Sequence, residues 1–135
     1  MPGRAAAMTQ QTIEVRVRYA ECDPMGFAHH SAYAVWFEMA RTELLRQHGR
    51  AYAELEREGV YIVVVRLNVH YLRPARYDDA LRVTAVLRRS GGAKIEHEYE
   101  VRRGEEVLCK GSTVLACIDR EGRVRAVPDF LRTSA

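Results

Sequence analysis

The chain has 135 residues and a formal net charge of +3, with 47% hydrophobic and 29% charged residues. That is enough for one domain with a substantial core and too little for two, and no run approaches the roughly 18 apolar residues of a membrane span. The basic residues, mostly Arg, are spread along the chain and interleaved with Glu instead of gathered on one face among aromatics, which argues against a nucleic-acid partner.

Residues 1–8 carry one basic residue and no long apolar run, so they do not read as a signal peptide; residues 1–11 are expected to be a tail on a single domain spanning 1–135. Residues 12–19 alternate strictly. Ile13, Val15, Val17 and Tyr19 point one way, and Glu14, Arg16 and Arg18 the other, as in a half-buried strand. A turn on Asp23-Pro24-Met25-Gly26 follows. Residues 31–48 then switch to helical spacing: Tyr33, Phe37, Ala40 and Leu44 form a stripe broadened by Ala32, Trp36 and Met39, and Gly49 supplies the stop. A short helix is expected over residues 51–58, ending at Gly59.

The rest reads as strands. Residues 60–73 are rich in β-branched side chains. Their first half is apolar on both faces, which predicts burial on both sides. Pro74 ends this run. Leu81, Val83, Ala85 and Leu87 alternate inward, and after the Ser90-Gly91-Gly92 turn Ile95, His97, Tyr99 and Val101 oppose Glu96, Glu98 and Glu100. Hairpins at Gly104-Glu105 and Glu121-Gly122 lead into strands over 106–119 and 123–127, and residues 128–131 form a last helical turn. One long apolar helix cannot stay in water. The economical solution is an α+β fold with a curved antiparallel sheet wrapped around it. The sheet's edges and outer face then need cover, which predicts a homo-oligomer, at least a dimer and further a dimer of dimers.

Chemistry concentrates where the first strand gives way to the long helix. Asp23, His30 and Tyr19 converge near a helix N-terminus, whose free backbone amides can hold negative charge on oxygen. Cys22, Cys109 and Cys117 are odd in number and lack metal-ligand spacing, so they read as reduced thiols of a cytoplasmic protein. His70 and His97 read as structural or surface residues, and no metal is expected. Glu38 on the long helix is a second candidate base.

The run from Arg18 through Asp23-Pro-Met-Gly-Phe-Ala-His-His30-Ser-Ala-Tyr33, with Phe37-Glu-Met-Ala-Arg-Thr-Glu43 and the later Leu72-Arg-Pro-Ala75, resembles the 4-hydroxybenzoyl-CoA thioesterase family of hotdog folds, in its YbgC-like branch. The resemblance covers roughly residues 12 to 130. It implies an acyl-CoA thioesterase acting on a short-chain or aromatic acyl-CoA, with no cofactor beyond the coenzyme A of the substrate. Asp23 then matches the nucleophile or general base, and His30 and Tyr19 match its neighbours. The amide near His30 matches the donor that polarises the thioester carbonyl. Gly26 and the loop of Arg88, Arg89, Gly91, Gly92 and Lys94 match the substrate-binding positions, the loop facing the coenzyme A nucleotide. Cys22 stands where the family more often has Thr, and Met25 where it has a small residue, which reshapes the acyl end. The alternatives are a hotdog acyl-thioester dehydratase, with its acid on the long helix, and a non-catalytic scaffold binding acyl-CoA or acyl carrier protein.

Overall fold

A computed structural model describes residues 9–132. The strands are β1 (Gln10–Arg16), β2 (Tyr61–Tyr71), β3 (Ala80–Gly91), β4 (Lys94–Arg103) and β5 (Glu106–Ile118); the helices are α1 (Ala32–Gln47) and α2 (Tyr52–Arg57). Single 3-10 turns cover Tyr19–Glu21 and Asp129–Leu131. All the strands join one antiparallel sheet in the order β1-β3-β4-β5-β2, and α1 packs chiefly over β1 and β3. This is the hotdog arrangement. Bulges between Val64 and Arg66, Leu87 and Arg89, and Val101 and Arg102 give the sheet the bend it needs to curl around a helix. Most of the 1–11 tail lies outside the described residues. Gln10 and Gln11 belong to β1, which starts two residues before the alternation does because they pair with Val86 and Ala85.

The helical stripe is buried as its spacing predicts. Around the N-terminal half of α1, Tyr33, Trp36, Phe37 and Ala40 pack with Val15, Val17, Leu81, Val83, Ala85, Tyr99 and Val101. Around its C-terminal half, Leu44 and Leu45 meet Leu55, Leu87, Ile95, Leu115 and Leu131. Helix and sheet pack in close contact at Gly111. A methyl group there would lie 2.7 Å from Phe37 Cζ and 2.9 Å from the Asn68 carbonyl oxygen. Phe37 is held in place by a stacked Tyr99, the cross-strand partner of Gly111, with centroids 4.4 Å apart. Gly111→Ala is therefore expected to cost about 2 kcal/mol, the usual scale for overpacking a filled core, and a denaturant titration checks it.

Four expectations are corrected. The apolar run in β2 is not buried on both faces: Val63, Val64, Val65 and Leu67 are exposed, because β2 is an edge strand and α1 lies over the far side of the sheet. Residues 123–127 form no strand. Val124 makes an isolated bridge to Ile118 and the Asp119 carboxylate caps the turn from below, taking the amides of Glu121 and Arg123. Met39 faces outward on α1, and Tyr19, placed inward by alternation, is 80% exposed because β1 ends at Arg16 and the chain turns into a 3-10 helix.

Candidate active site

The turn at residues 23–26 is built on the Asp23 carboxylate. Its Oδ1 accepts the amide hydrogens of Met25 at 2.9 Å and Phe27 at 3.2 Å, and its carbonyl accepts Gly26 N–H at 2.9 Å. This is turn chemistry in which an Asp side chain imitates backbone. Gly26 closes the turn at φ +83°, a conformation that favours glycine. Only one carboxylate oxygen is occupied: Oδ2 accepts no hydrogen bond among the described residues.

The loop carrying this turn is anchored by Glu21, which sequence reading passed over. Its Oε2 accepts the buried Trp36 Nε1–H at 3.0 Å, its Oε1 accepts Arg18 N–H at 2.8 Å, and its carbonyl accepts His29 N–H at 2.7 Å. Burial alone would raise the Glu21 pKa, but the hydrogen bonds from Arg18 and Trp36 outweigh it and hold the carboxyl below its ordinary value.

Around the start of α1, three amides on either side of His30 have acceptors. His29 N–H goes to Glu21, Ser31 N–H donates to His29 Nδ1 at 3.2 Å, and Ala32 N–H donates to the His29 carbonyl at 3.0 Å. His30 N–H donates to no acceptor among the described residues. It is thus a free donor at a helix N-terminus, where the helix dipole favours negative charge.

Asp23, His30, Ala28, Tyr33, Tyr71, Leu72, Arg73 and Pro74 line one open cleft of about 330 Å³. Tyr71 Oη donates to the His30 carbonyl at 2.8 Å, and its ring meets Tyr33 edge-on at 5.1 Å. Burial raises the pKa of both phenols, which keeps them protonated. Asp23, with a free carboxylate oxygen, and His30, with an unpaired amide, thus line one cleft with aromatic and aliphatic walls. Such a set can attack or hydrate an activated carbonyl while an N–H receives the oxyanion.

The other expected residues are placed differently. Tyr19 stacks edge-on against Tyr77 at 5.6 Å and does not line the cleft. Met25 is 72% exposed at the turn and does not wall the cleft either. Glu38 points away from it and lies 3.7 Å from Arg41. Arg89, Gly91, Gly92 and Lys94 come together with Arg132 around an open depression of about 700 Å³ at the β3–β4 hairpin. Arg88 is turned to the sheet's outer face, where it pairs with Glu98 at 2.7 Å. That outer face holds a larger concavity of about 940 Å³, lined by Thr84, Arg88, Glu98, Glu100, Lys110 and others. Two of its carboxylates are paired along the strands, Glu98 with Arg88 and Glu100 with Arg102, and no residue of a helix N-terminus lines it, so the smaller cleft is the candidate site.

An α+β hotdog whose cleft is lined by an acid and by the residue just ahead of a helix defines a class, and comparison with known proteins names it. The sequence model of the Thioesterase superfamily matches residues 25–110. The acyl-CoA thioester hydrolase YbgC of Escherichia coli O157:H7 is 34% identical over 116 residues, covering 84% of this chain and 87% of that one. The acyl-CoA thioesterase YbgC of Haemophilus influenzae is 35% identical over 106 residues, 78% of each chain. Among solved structures, the DHNA-CoA thioesterase of Staphylococcus aureus superposes with a TM-score of 0.83 at 31% identity, covering 86% of this chain and 79% of that one. The chain belongs to the thioesterase superfamily and is a thioester hydrolase. Among its described residues no helix is long and apolar enough to cross a membrane.

Proposed function

We propose that the protein hydrolyses a short-chain or aromatic acyl-CoA to the free acid and coenzyme A, in the cytoplasm, with Asp23 as nucleophile or general base. The observation that carries this reading is that Asp23, whose Oδ2 accepts no hydrogen bond among the described residues, lines one cleft with His30, whose amide has no acceptor there. A thioester carbonyl accepts the amide hydrogen bond, which stabilises the oxyanion as the carbonyl carbon becomes tetrahedral. Asp23 either attacks that carbon, giving a mixed anhydride that water hydrolyses, or draws a proton from the attacking water. In both routes the C–S bond breaks and the thiolate leaves with the electron pair. His30, in the same cleft, orients the acid or the water. The walls of Tyr33, Tyr71, Leu72 and Pro74 suit an aromatic or short acyl group.

The same reading assigns coenzyme A phosphates to the β3–β4 hairpin, with Arg89, Lys94 and the Gly91-Gly92 backbone, and it makes the working unit an oligomer. The register ties Gly91 to Lys94, Lys94 to Ala116 and Ala116 to Val63, so the hairpin lies at the Tyr61 end of β2. The cleft lies at the Tyr71 end, where Tyr71 forms one wall. Within one chain the two are separated by most of β2, an 11-residue strand of about 36 Å. A second copy pairing antiparallel along the exposed β2 edge would bring its hairpin to this chain's cleft. It would also cover Val64 and Leu67, which face the helix side of the sheet yet remain exposed. Pairs of such dimers make the tetramer.

The test is thiol release by the wild-type enzyme across a panel of acyl-CoAs varied in chain length and aromaticity. Turnover of short or aromatic members is expected. Hydration of an enoyl-CoA without thiol release, or tight binding with no turnover, would overturn the reading in favour of a dehydratase or a scaffold.

A further inference from the structure

The peptide unit that follows the His30 amide, made of the His30 carbonyl and the Ser31 N–H, is gripped at both ends by residues that lie outside the expected catalytic set. On one side, the His29 imidazole accepts Ser31 N–H through Nδ1, with the Ser31 hydroxyl 2.8 Å from the same nitrogen. On the other, Tyr71 reaches across from the end of β2, 41 residues away in sequence, to donate its hydroxyl to the His30 carbonyl. We propose that His29 and Tyr71 are positioning residues that fix the backbone of His30 so that its N–H stays free and aimed into the cleft. This rests on the reading of that amide as the carbonyl-polarising donor.

The start of a helix presents several unpaired amides, and a side chain at the N-cap usually takes one of them. Ser31 occupies the N-cap position but makes no side-chain cap to the helix. Its hydroxyl turns back to His29 instead, and His29 supplies the acceptor. To accept an N–H, Nδ1 must carry a lone pair, so the ring proton sits on Nε2. The imidazole thereby removes the amide next to His30 from competition for an incoming oxyanion. The His29 ring also lies 4.0 Å, centroid to centroid, from the His30 ring, which buttresses the side chain facing the cleft.

Tyr71 acts on the other half of the unit. Holding the His30 carbonyl sets the rotation between the His30 amide and the first turn of α1. Its own position is transmitted from the core: Tyr71 meets Tyr33 edge-on, Tyr33 meets Trp36 at 4.8 Å, and Trp36 holds Glu21, whose carbonyl takes the His29 amide. The contacts thus form a closed ring around the free donor, and they arise from α1, β2 and the loop between β1 and α1.

The experiment compares steady-state thiol release by Tyr71→Phe, His29→Ala, His29→Asn and Asp23→Asn with wild type, on the best acyl-CoA from the panel, alongside thermal melts. Tyr71→Phe keeps the ring that walls the cleft and deletes the donor alone. It is expected to lower kcat about tenfold with KM within twofold, short of the roughly 100-fold or more that follows loss of an oxyanion donor itself. His29→Ala should do the same, and His29→Asn, whose side-chain oxygen can accept the Ser31 amide without an imidazole, should recover most of the loss. A cap with only a structural role would shift the melting temperature of His29→Ala and leave kcat in place. If Asp23→Asn is inactive while Tyr71→Phe and His29→Ala keep wild-type kcat, the positioning proposal fails and the site assignment stands. If Asp23→Asn keeps full turnover, the site assignment fails and takes the proposal with it. A rise in KM at constant kcat in Tyr71→Phe also overturns the proposal, since the hydroxyl would then be binding substrate instead of backbone.

Discussion

Asp23→Asn is expected to fold, to bind acyl-CoA with KM little changed, and to release thiol at no more than about 1% of the wild-type rate. The substitution isolates one atom. Oδ1 of Asn can still accept the Met25 and Phe27 amides that close the turn, so the loop and its Gly26 hinge persist. What changes is Oδ2, the oxygen without a protein partner, which becomes an amide nitrogen with no basicity and no nucleophilicity. Loss of a positioned general base typically costs roughly 100- to 10,000-fold, equivalent to about 3–5 kcal/mol of transition-state stabilisation, and loss of a nucleophile is at least as severe. Asp23→Ala is the less informative change, because it also removes the acceptor that organises the turn. The measurement is thiol release under saturating substrate, with circular dichroism and a thermal melt to show that the protein is folded. A folded Asp23→Asn protein with full activity would falsify the assignment of this carboxylate.

The same residues show what sequence could and could not disclose. Alternation in Leu81, Val83, Ala85 and Leu87, and again in Ile95, His97, Tyr99 and Val101, marks side chains that are all buried, because a strand covered on one face writes its environment into every second position. It also put His97 on the inner face beside Tyr99, a signal that outweighed any general expectation for histidine. The apolar character of β2 was equally plain, but composition reports that a surface needs cover and not what supplies it. Among the described residues nothing covers Val64, Leu67 and Tyr71, which remain exposed. Asp23, Gly26 and His30 were legible because a turn, a positive φ and a helix start are local events. Glu21 and Tyr71 were not, since their roles depend on approaches across 15 and 41 residues that no spacing encodes. Tyr19 illustrates the opposite failure. Its place in an alternating run pointed inward, but the pairing with β3 stops at Arg16, and beyond the last pair the period has no hold on the chain.

Acid should unfold this protein earlier than its carboxylates alone require, because of His97. The ring is buried beneath α1 and lines an internal cavity of about 20 Å³ with Arg41, His48, Tyr52 and Ser90. Its Nδ1 has no hydrogen-bond partner among the described residues. Desolvation, then the positive Arg41 and then His48, hold its pKa down to about 3 from an ordinary 6.5. The groups facing it from α1 and its C-cap are the Arg41 guanidinium and the His48 imidazole. From α2 comes Tyr52, a phenol whose own pKa burial raises to about 12, and along β4 the Tyr99 ring stacks at 6.0 Å. None of these is an anion, and Arg41's ion-pair partner Glu38 lies on the exposed face of the helix, so a proton on His97 finds no compensation inside. The unfolded chain takes up that proton below about pH 6.5, whereas the folded chain refuses it until about pH 3. Protons therefore favour unfolding across that window: stability is whole above it and falls by about 1.4 kcal/mol per pH unit within it. Glu21 and Glu106, whose folded pKa values lie below their ordinary 4.5, add their own losses only in the lower part of the window. The interval from pH 6.5 to 5 belongs to His97 among these groups, and a loss of about 2 kcal/mol is expected there by urea titration. His97→Phe keeps a flat ring stacked on Tyr99 and cannot titrate. Its stability at pH 7 will differ from wild type according to how well the ring fits, but its curve between pH 6.5 and 5 should be flat by comparison. Parallel wild-type and His97→Phe slopes through that interval would mean that the proton is accommodated after all, and that the buried face of β4 is wetter than its contacts imply.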